Sequence, residues 1–272
     1  MRQYLKFAIN YLKPSRVISD KFGNKYRDSR IYALERHVSE SGVFDEFSII
    51  QEFIKGFDIR KETALDIGAN VGLVSIPLSN DFNQVFSFEP DPFNIKRFIE
   101  NVSLNDELGI SLQEMAVGSS SCNLDLSINR VIDGDGLINN GLSSLSKRNR
   151  LYKKKLVTVE VTTVDEFCES RNLEQIDFIK IDTEGYELEV LSGAEKTIKQ
   201  STPSIFYEFS KTLDQRLGSH QSMKCYDLLS DFGYKHYIIN GENKVECISR
   251  DFASQLADDI NVFAVHENRS QV

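Results

Sequence analysis

The sequence predicts an α/β protein built on a mostly parallel sheet with helices on both faces. Three observations predict it. Short apolar runs alternate with helical patterns from Thr63 onward, a glycine-bearing turn follows the first run directly, and acidic residues stand where several runs end. The 272 residues suffice for one large domain, and 40% apolar with 27% charged residues is an ordinary globular mixture. Forty-one acids against 32 bases give a net charge of −9, which disfavours nucleic acid and anionic lipid as partners. No apolar run approaches the ~20 residues of a membrane span, so no integral membrane segment is expected. The N-terminal Met1-Arg-Gln-Tyr-Leu-Lys-Phe7 breaks its apolar residues with charge too early for a secretory signal. Cys122, Cys168, Cys225 and Cys247 form no Cys-x-x-Cys, and with four scattered histidines they fit a reducing cytoplasm rather than a zinc cluster.

Taken in order, residues 1–60 read as an N-terminal helical extension. Its clear element spans Phe44 to Phe57, where Phe44, Phe47, Ile50, Ile54 and Phe57 recur at helical spacing and Gly56 marks the end. The remainder, 61–272, reads as one domain. Strands are expected at Thr63–Ile67, Gln84–Phe88, Ile110–Val117, Leu156–Val161, Ile176–Ile181, Ser204–Phe209, Tyr234–Asn240 and Asn261–His266. Val71–Leu78 opens a helix between the first two. Phe93–Asn105 forms another, with Asp91 as N-cap, Pro92 at its first position, and Ile95, Phe98, Ile99 and Val102 on one face. Leu188, Leu191, Ala194 and Ile198 repeat at helical spacing after the fifth run. Residues 119–155 interrupt the rhythm with glycines, Asn, Ser and a basic run from Lys147 to Lys155, and read as a flap or insertion over the sheet edge. That run suits an acidic sugar or a diphosphate carrier, and equally a solvated loop.

The strongest local signal is Leu65-Asp66-Ile-Gly68-Ala69-Asn70-Val-Gly72, between a strand and a helix. Glycines there let the backbone turn tightly toward a ligand, and the helix start presents free N–H groups. The spacing is not Gly-x-Gly-x-x-Gly, and Asp66 would repel a pyrophosphate while suiting a sulfonium or ammonium group. Alone, the stretch is also what a chance glycine-rich turn looks like. Glu89, in Phe88-Glu89-Pro90, ends the second strand where a carboxylate accepts hydrogen bonds from both hydroxyls of a ribose. Met115 and Ala116 end the third, where small side chains border a base, although a plain strand end reads the same way. Asp182 and Glu184 stand at the mouth of a central strand, and Glu208 closes its neighbour. Such acids position an amino group, take a proton from a hydroxyl, or hold a divalent metal; for any single one, a capping or ion-pair role stands beside these. Tyr186 and Tyr207 near them suit a sugar ring or the core equally.

Together, Leu65–Gly72, Phe88–Pro90, Ala116–Gly118, Ser143–Leu145, Val161–Asp165 and Ile179–Ala194 resemble the FkbM-type methyltransferases, a class I S-adenosylmethionine-dependent family, in the family's order over roughly residues 60–210. The resemblance implies a Rossmann-like fold with a seven-stranded, mostly parallel sheet, and S-adenosyl-L-methionine as cofactor. It implies that Asp66, Gly68, Ala69, Asn70 and Gly72 form the donor loop, that Glu89, with Pro90, binds the ribose, and that Met115 and Ala116 flank the adenine. Ser144 lies near the donor pocket and Asp182 borders the methionine moiety. The expected reaction is O-methylation of a small-molecule or glycan hydroxyl, with Asp182, Glu184 or Glu208 as base and Glu184 favoured because Gly185 frees its backbone. Acceptor choice is expected before Thr63, after Ser210 and in the flap. Metal dependence and a homo-oligomeric state stay open. Two other readings remain: an NAD-dependent sugar-modifying enzyme, which lacks its glycine fingerprint here, and a non-catalytic domain that binds the donor.

Overall fold

A computed structural model describes residues 2–106, 108–128, 130–139, 141, 143–145, 155–240 and 244–269. The N-terminal segment comprises α1 (Arg2–Tyr11), a hairpin of β1 (Arg16–Ser19) and β2 (Lys25–Asp28), α2 (Ala33–Ser41) and α3 (Asp45–Gly56). Strand–helix alternation follows in β3 (Thr63–Ile67), α4 (Ser75–Leu78), β4 (Gln84–Phe88), α5 (Pro92–Val102) and β5 (Ile110–Gln113). Next come β6 (Ala116–Val117), β7 (Cys122–Ile128), β8 (Val131–Ile132), β9 (Ile138–Asn139) and β10 (Lys155–Thr162). The alternation resumes in α6 (Val164–Ser170), β11 (Phe178–Ile181), α7 (Glu187–Ser192), α8 (Glu195–Ser201) and β12 (Ser204–Phe209). Last are α9 (Lys211–Leu217), α10 (Gln221–Asp231), β13 (Tyr234–Ile239), β14 (Val245–Ile248), α11 (Arg250–Gln255) and β15 (Ile260–His266).

The main sheet runs β14-β13-β15-β12-β11-β3-β4-β5. β12, β11, β3, β4 and β5 are parallel, and β15, β13 and β14 join antiparallel. The chain builds outward from β3 to β5 and then returns to β11 on the other side. The carboxyl ends of β3 and β11 therefore flank the point where strand order reverses, which is where such sheets open a crevice. Both faces are buried, and alternate residues feed two cores. Leu65, Phe86, Ile179 and Ile205 enter one, while Ala64, Val85, Phe178 and Phe206 enter the other. Phe47, Ile50, Phe53 and Ile54 of α3 belong to the second core, with the Phe53 ring stacked 4.1 Å from that of Phe263. The N-terminal segment thus completes the sheet's packing instead of hanging from it.

Several expectations are corrected. The sheet has an eighth strand, the edge strand β14. The run Ile110–Val117 divides because the Met115 N–H turns back to the Gln113 carbonyl (2.8 Å), and β6 then leaves to pair with β10. Leu156–Val161 lies within β10, in a separate three-stranded sheet with β6 and β7. α4 begins only at Ser75, since Asn70 and Gly72 hold left-handed backbone (φ 51° and 89°) and keep the preceding residues in a turn. Gly193 splits the expected long helix into α7 and α8. A β-carbon there would stand 2.0 Å from the Gly118 carbonyl oxygen. Asp91 caps α5 as expected, accepting from the Phe93 N–H at 2.9 Å, but Ile99 is exposed. The N-terminal segment holds a hairpin besides its helices. Residues 147–154 of the basic run lie outside the described residues. Among those described, no helix is long and apolar enough to cross a membrane.

Candidate active site

β3 ends at Ile67 and the backbone turns at once. Gly68 has φ 83°, and a β-carbon on it would meet the Asp182 carbonyl oxygen at 1.8 Å, so only glycine fits between β3 and the end of β11. The N–H groups of Gly68 and Ala69 donate to the Phe88 carbonyl (3.0 and 2.9 Å), which ties the turn to β4. The Asn70 N–H donates to Glu89 Oε2 at 2.8 Å, and the Asp91 N–H donates to Oε1 at 2.8 Å. Glu89 is 5% exposed, and burial pushes its carboxyl up to about 8.

On the β11 side, Glu184 (φ 56°) and Gly185 (φ 92°) take left-handed backbone. Glu187 Oε1 holds this loop by accepting from Thr183 N–H (2.9 Å), Thr183 Oγ1 (3.0 Å) and Gly185 N–H (3.1 Å). Burial, with Asp182 and Glu187 close by, raises the Glu184 carboxyl well above the ordinary range. The flap is tied across the site: Ser144 Oγ donates to the Glu184 carbonyl at 2.8 Å, while Ser143 Oγ and Arg130 reach Asp91 at 3.0 Å each.

These pieces line a shared cavity, a concave setting of the kind small molecules occupy. Gly68, Asn70, Glu89, Pro90, Ala116, Ser144, Asp182 and Glu184 line it, as does Tyr186. Val117, Leu126 and Leu145 add apolar lining to which the sequence assigned no individual role. Five expected site residues stand elsewhere. Asp66, 0% exposed, turns inward to accept from Ser75 Oγ and lies 3.5 Å from Lys180 Nζ. Gly72 faces the Phe98 ring, Met115 packs on the core, and Ala69 lines an adjoining cavity. Glu208 is absent from the lining but clusters with the lining residue Asp182 and with Glu187, carboxylate oxygens within 4.8 Å of one another, and burial followed by Asp182 raises it to about 10. A hard cation suits three such acids, although Glu187 Oε1 is already committed to the loop. Tyr207 is core, its hydroxyl 3.2 Å from Nδ1 of His236, which burial holds down at about 4.

Lys180 belongs to the site although no motif singles it out. It is buried in β11 beside Asp66, its register partner on β3, and Nζ donates to the Gly68 carbonyl at 3.0 Å. Asp182 (3.7 Å) and Glu46 of α3 (3.6 Å) complete its surroundings. Burial alone would lower its pKa; these three carboxylates reverse that and hold it above the ordinary lysine value. A lysine inside the otherwise apolar run Phe-Ile-Lys-Ile was the available signal.

Residues 66–235, more than half of the chain, match the Methyltransferase FkbM domain. The chain is 31% identical over 158 residues to the 2-O-methyltransferase NoeI of Sinorhizobium fredii, covering 55% of this chain and 62% of that one. It is 28% identical over 151 residues to the hexuronic acid methyltransferase AglP of Haloferax volcanii, covering 56% and 57%. The matches thus span less than two thirds of these relatives' length. The crystal structure of methyltransferase FkbM from Methylobacillus flagellatus KT aligns over 75% of this chain and 43% of its own, at 20% identity and a TM-score of 0.43. By the match over residues 66–235, this chain belongs to the FkbM methyltransferase domain family.

Proposed function

We propose that the chain is an S-adenosylmethionine-dependent O-methyltransferase acting on a sugar hydroxyl, in glycan or natural-product assembly. One observation carries the reading: a single cavity is lined by the apolar Ala116, Val117, Leu126 and Leu145, by the Glu89 carboxylate, and by Asp182 and Glu184. That combination suits a purine, a ribose diol and a cationic sulfur. The donor supplies a methyl group on positive sulfur, whose carbon–sulfur bond breaks with its electrons left on sulfur. Gly68 and Asn70 keep the backbone close enough to hold the donor, Glu89 accepts from its ribose, and the flap residues Ser143 and Ser144 exclude water. Asp182, with 34% of its side chain exposed and lining both cavities, takes the acceptor's hydroxyl proton. Glu184, raised by burial, serves as a hydrogen-bonding partner, which revises the preference the sequence suggested. The names of NoeI and AglP support a sugar hydroxyl as acceptor. The four free cysteines support a reducing compartment, the cytoplasm.

Calorimetric titration with S-adenosylmethionine, S-adenosylhomocysteine and NAD tests the donor. The first two should bind in the micromolar range and weaken ~10-fold or more in Glu89→Gln, because a charge-assisted hydrogen bond is lost. Failure of both to bind the folded protein would overturn the reading, and NAD binding would favour the nicotinamide alternative. With a sugar acceptor and saturating donor, Asp182→Asn should lower turnover ~100-fold.

A further inference from the structure

A second cavity adjoins the first and shares Gly68, Asn70, Gly141, Asp182 and Glu184 with it. Its outer wall comes from outside the strand–helix core. Leu34 lies on α2, Phe44 just before α3, Glu46 in the first turn of α3, and Asn139 on β9. The core packing of α3 makes Glu46 a fixed feature of this wall. Its side chain is 14% exposed, and Oε1 stands 3.6 Å from Lys180 Nζ, an ion-pair distance too long for a hydrogen bond. That oxygen is buried and has no hydrogen-bond partner. The Lys180 charge offsets part of the cost of burying that oxygen, and the exposed remainder of the carboxylate lies on the cavity wall, open to a donor.

We propose that this second cavity seats the methyl acceptor, that Glu46 accepts a hydrogen bond from one of its hydroxyls, and that the acceptor is an uncharged or amino-bearing sugar rather than a hexuronate. The proposal rests on the methyltransferase reading and adds the acceptor class to it. Placement supports it: the cavities meet at Asp182 and Glu184, where an acceptor must approach the far side of the transferred carbon from its leaving sulfur. The lining also fits a sugar. Leu34, Phe44, Leu73 and Val74 offer an apolar wall for the ring's C–H face, while Glu46, Asp182 and Glu184 offer acceptors for its hydroxyl edge.

Charge decides between sugar classes. Lys180 is the sole cation among the described lining residues, and it is already engaged with Asp66, Asp182, Glu46 and the Gly68 carbonyl. A uronate would bring a further carboxylate into this acidic lining with no uncommitted cation among the described lining residues, whereas an ammonium would be welcomed. Glu46 faces Lys180, Asp182 and Asp66; burial, moderated by Lys180, places its carboxyl near 7. Its strength as a hydrogen-bond acceptor therefore grows as pH rises through neutrality.

The test uses the full chain saturated with S-adenosylhomocysteine. Methyl glycosides of a neutral hexose, an amino hexose and a hexuronate are titrated in by saturation-transfer NMR, on wild type, Glu46→Gln and Leu34→Ala. The neutral and amino glycosides should bind wild type at least ~10-fold more tightly than the hexuronide, and should weaken ~10-fold in Glu46→Gln. Calorimetric affinity for S-adenosylhomocysteine should be the same in all three proteins. Should Glu46→Gln unfold early, Leu34→Ala reads the same wall and should weaken the glycosides alone. A variant that loses S-adenosylhomocysteine while keeping glycoside affinity would make this cavity the donor's amino-acid end, overturning the proposal. Equal or tighter hexuronide binding overturns the charge selection, and no glycoside binding overturns the sugar seat. If S-adenosylhomocysteine fails to bind wild type, the donor reading fails instead, and that result is read separately in the calorimeter.

Discussion

The two cavities share a wall but are built by opposite means. Around the turn after β3 the first is shaped by backbone. Gly68, Asn70 and Glu89 lie within a short stretch of chain, and their roles follow from left-handed φ angles, a 1.8 Å conflict for any β-carbon, and N–H groups donated to one carboxylate. The second is shaped by side chains far apart in sequence, Leu34, Phe44, Glu46, Asn139 and Lys180, brought together only by the finished fold. Backbone geometry leaves a fixed spacing of residue types in the sequence; a wall assembled from distant side chains leaves none. It follows that substitutions in the first region should act through the turn, and those in the second through charge and shape.

Lys180 joins the two regions, so its removal should have the largest effect. Lys180→Met leaves Asp66, Glu46 and Asp182 without their common cation, and breaking a buried ion group by removing one partner costs about 3–5 kcal/mol. Urea unfolding at neutral pH should show this loss. The gap to wild type should narrow as pH falls, because protonating the orphaned carboxylates removes the repulsion. A pH-independent difference would mean that Lys180 acts by packing alone.

Gly68→Ala should come next. The added carbon must displace the end of β11, and left-handed backbone penalises alanine as well, together about 3 kcal/mol. Donor affinity should disappear along with stability. Leu34→Ala, on the other side of the shared wall, should leave donor affinity intact. If both variants affected the donor alike, the division into two regions would be wrong.

How much of this was legible in the sequence follows the same division. β3, β4 and β12 match their expected ranges because period and flanking turns were both present, and the Asp91 cap with Pro92 was local chemistry. The turn at Gly68–Gly72 was legible for the same reason. From its local motif Asp66 reads as facing the ligand, since its partner Lys180 arrives from a strand more than a hundred residues away. Nothing local to Asp66 reports which strand pairs with β3 or in what register. Glu46 was hidden for a similar reason: it reads as a first-turn acid on an amphipathic helix, which complements the helix dipole without further explanation.

Glu89 gives a smaller effect that isolates the first region. Its carboxyl lies near 8 when folded against an ordinary 4.5, so the fold favours the neutral form. The stability this group contributes is complete below about pH 4.5 and is lost as pH rises through 8. Wild type free of ligand should therefore weaken across that window, and Glu89→Gln should remove up to one proton from the slope. Donor binding should run the other way. Ribose hydroxyls donate to the ionised form, so affinity should tighten toward pH 8 with proton release, and Glu89→Gln should lose that dependence. A variant with wild-type pH dependence in both measurements would take Glu89 out of the donor site.

The smallest effect lies on the seam. Glu184 carries a β-carbon at φ 56°, an arrangement that costs about 1–2 kcal/mol and persists only where neighbours enforce it. Here they do: Glu187 binds the N–H groups on either side, and Ser144 Oγ donates to the Glu184 carbonyl. Glu184→Gly and Glu184→Ala both delete the carboxyl, but only glycine removes the backbone penalty. The glycine variant should be more stable than the alanine variant by about 1 kcal/mol in urea unfolding, with equal losses of transfer activity. Equal stabilities would show that the loop adapts freely and stores no strain. The expected difference would show that the acids between the two cavities are positioned by an enforced backbone, so that the shared wall keeps its shape whichever cavity is filled.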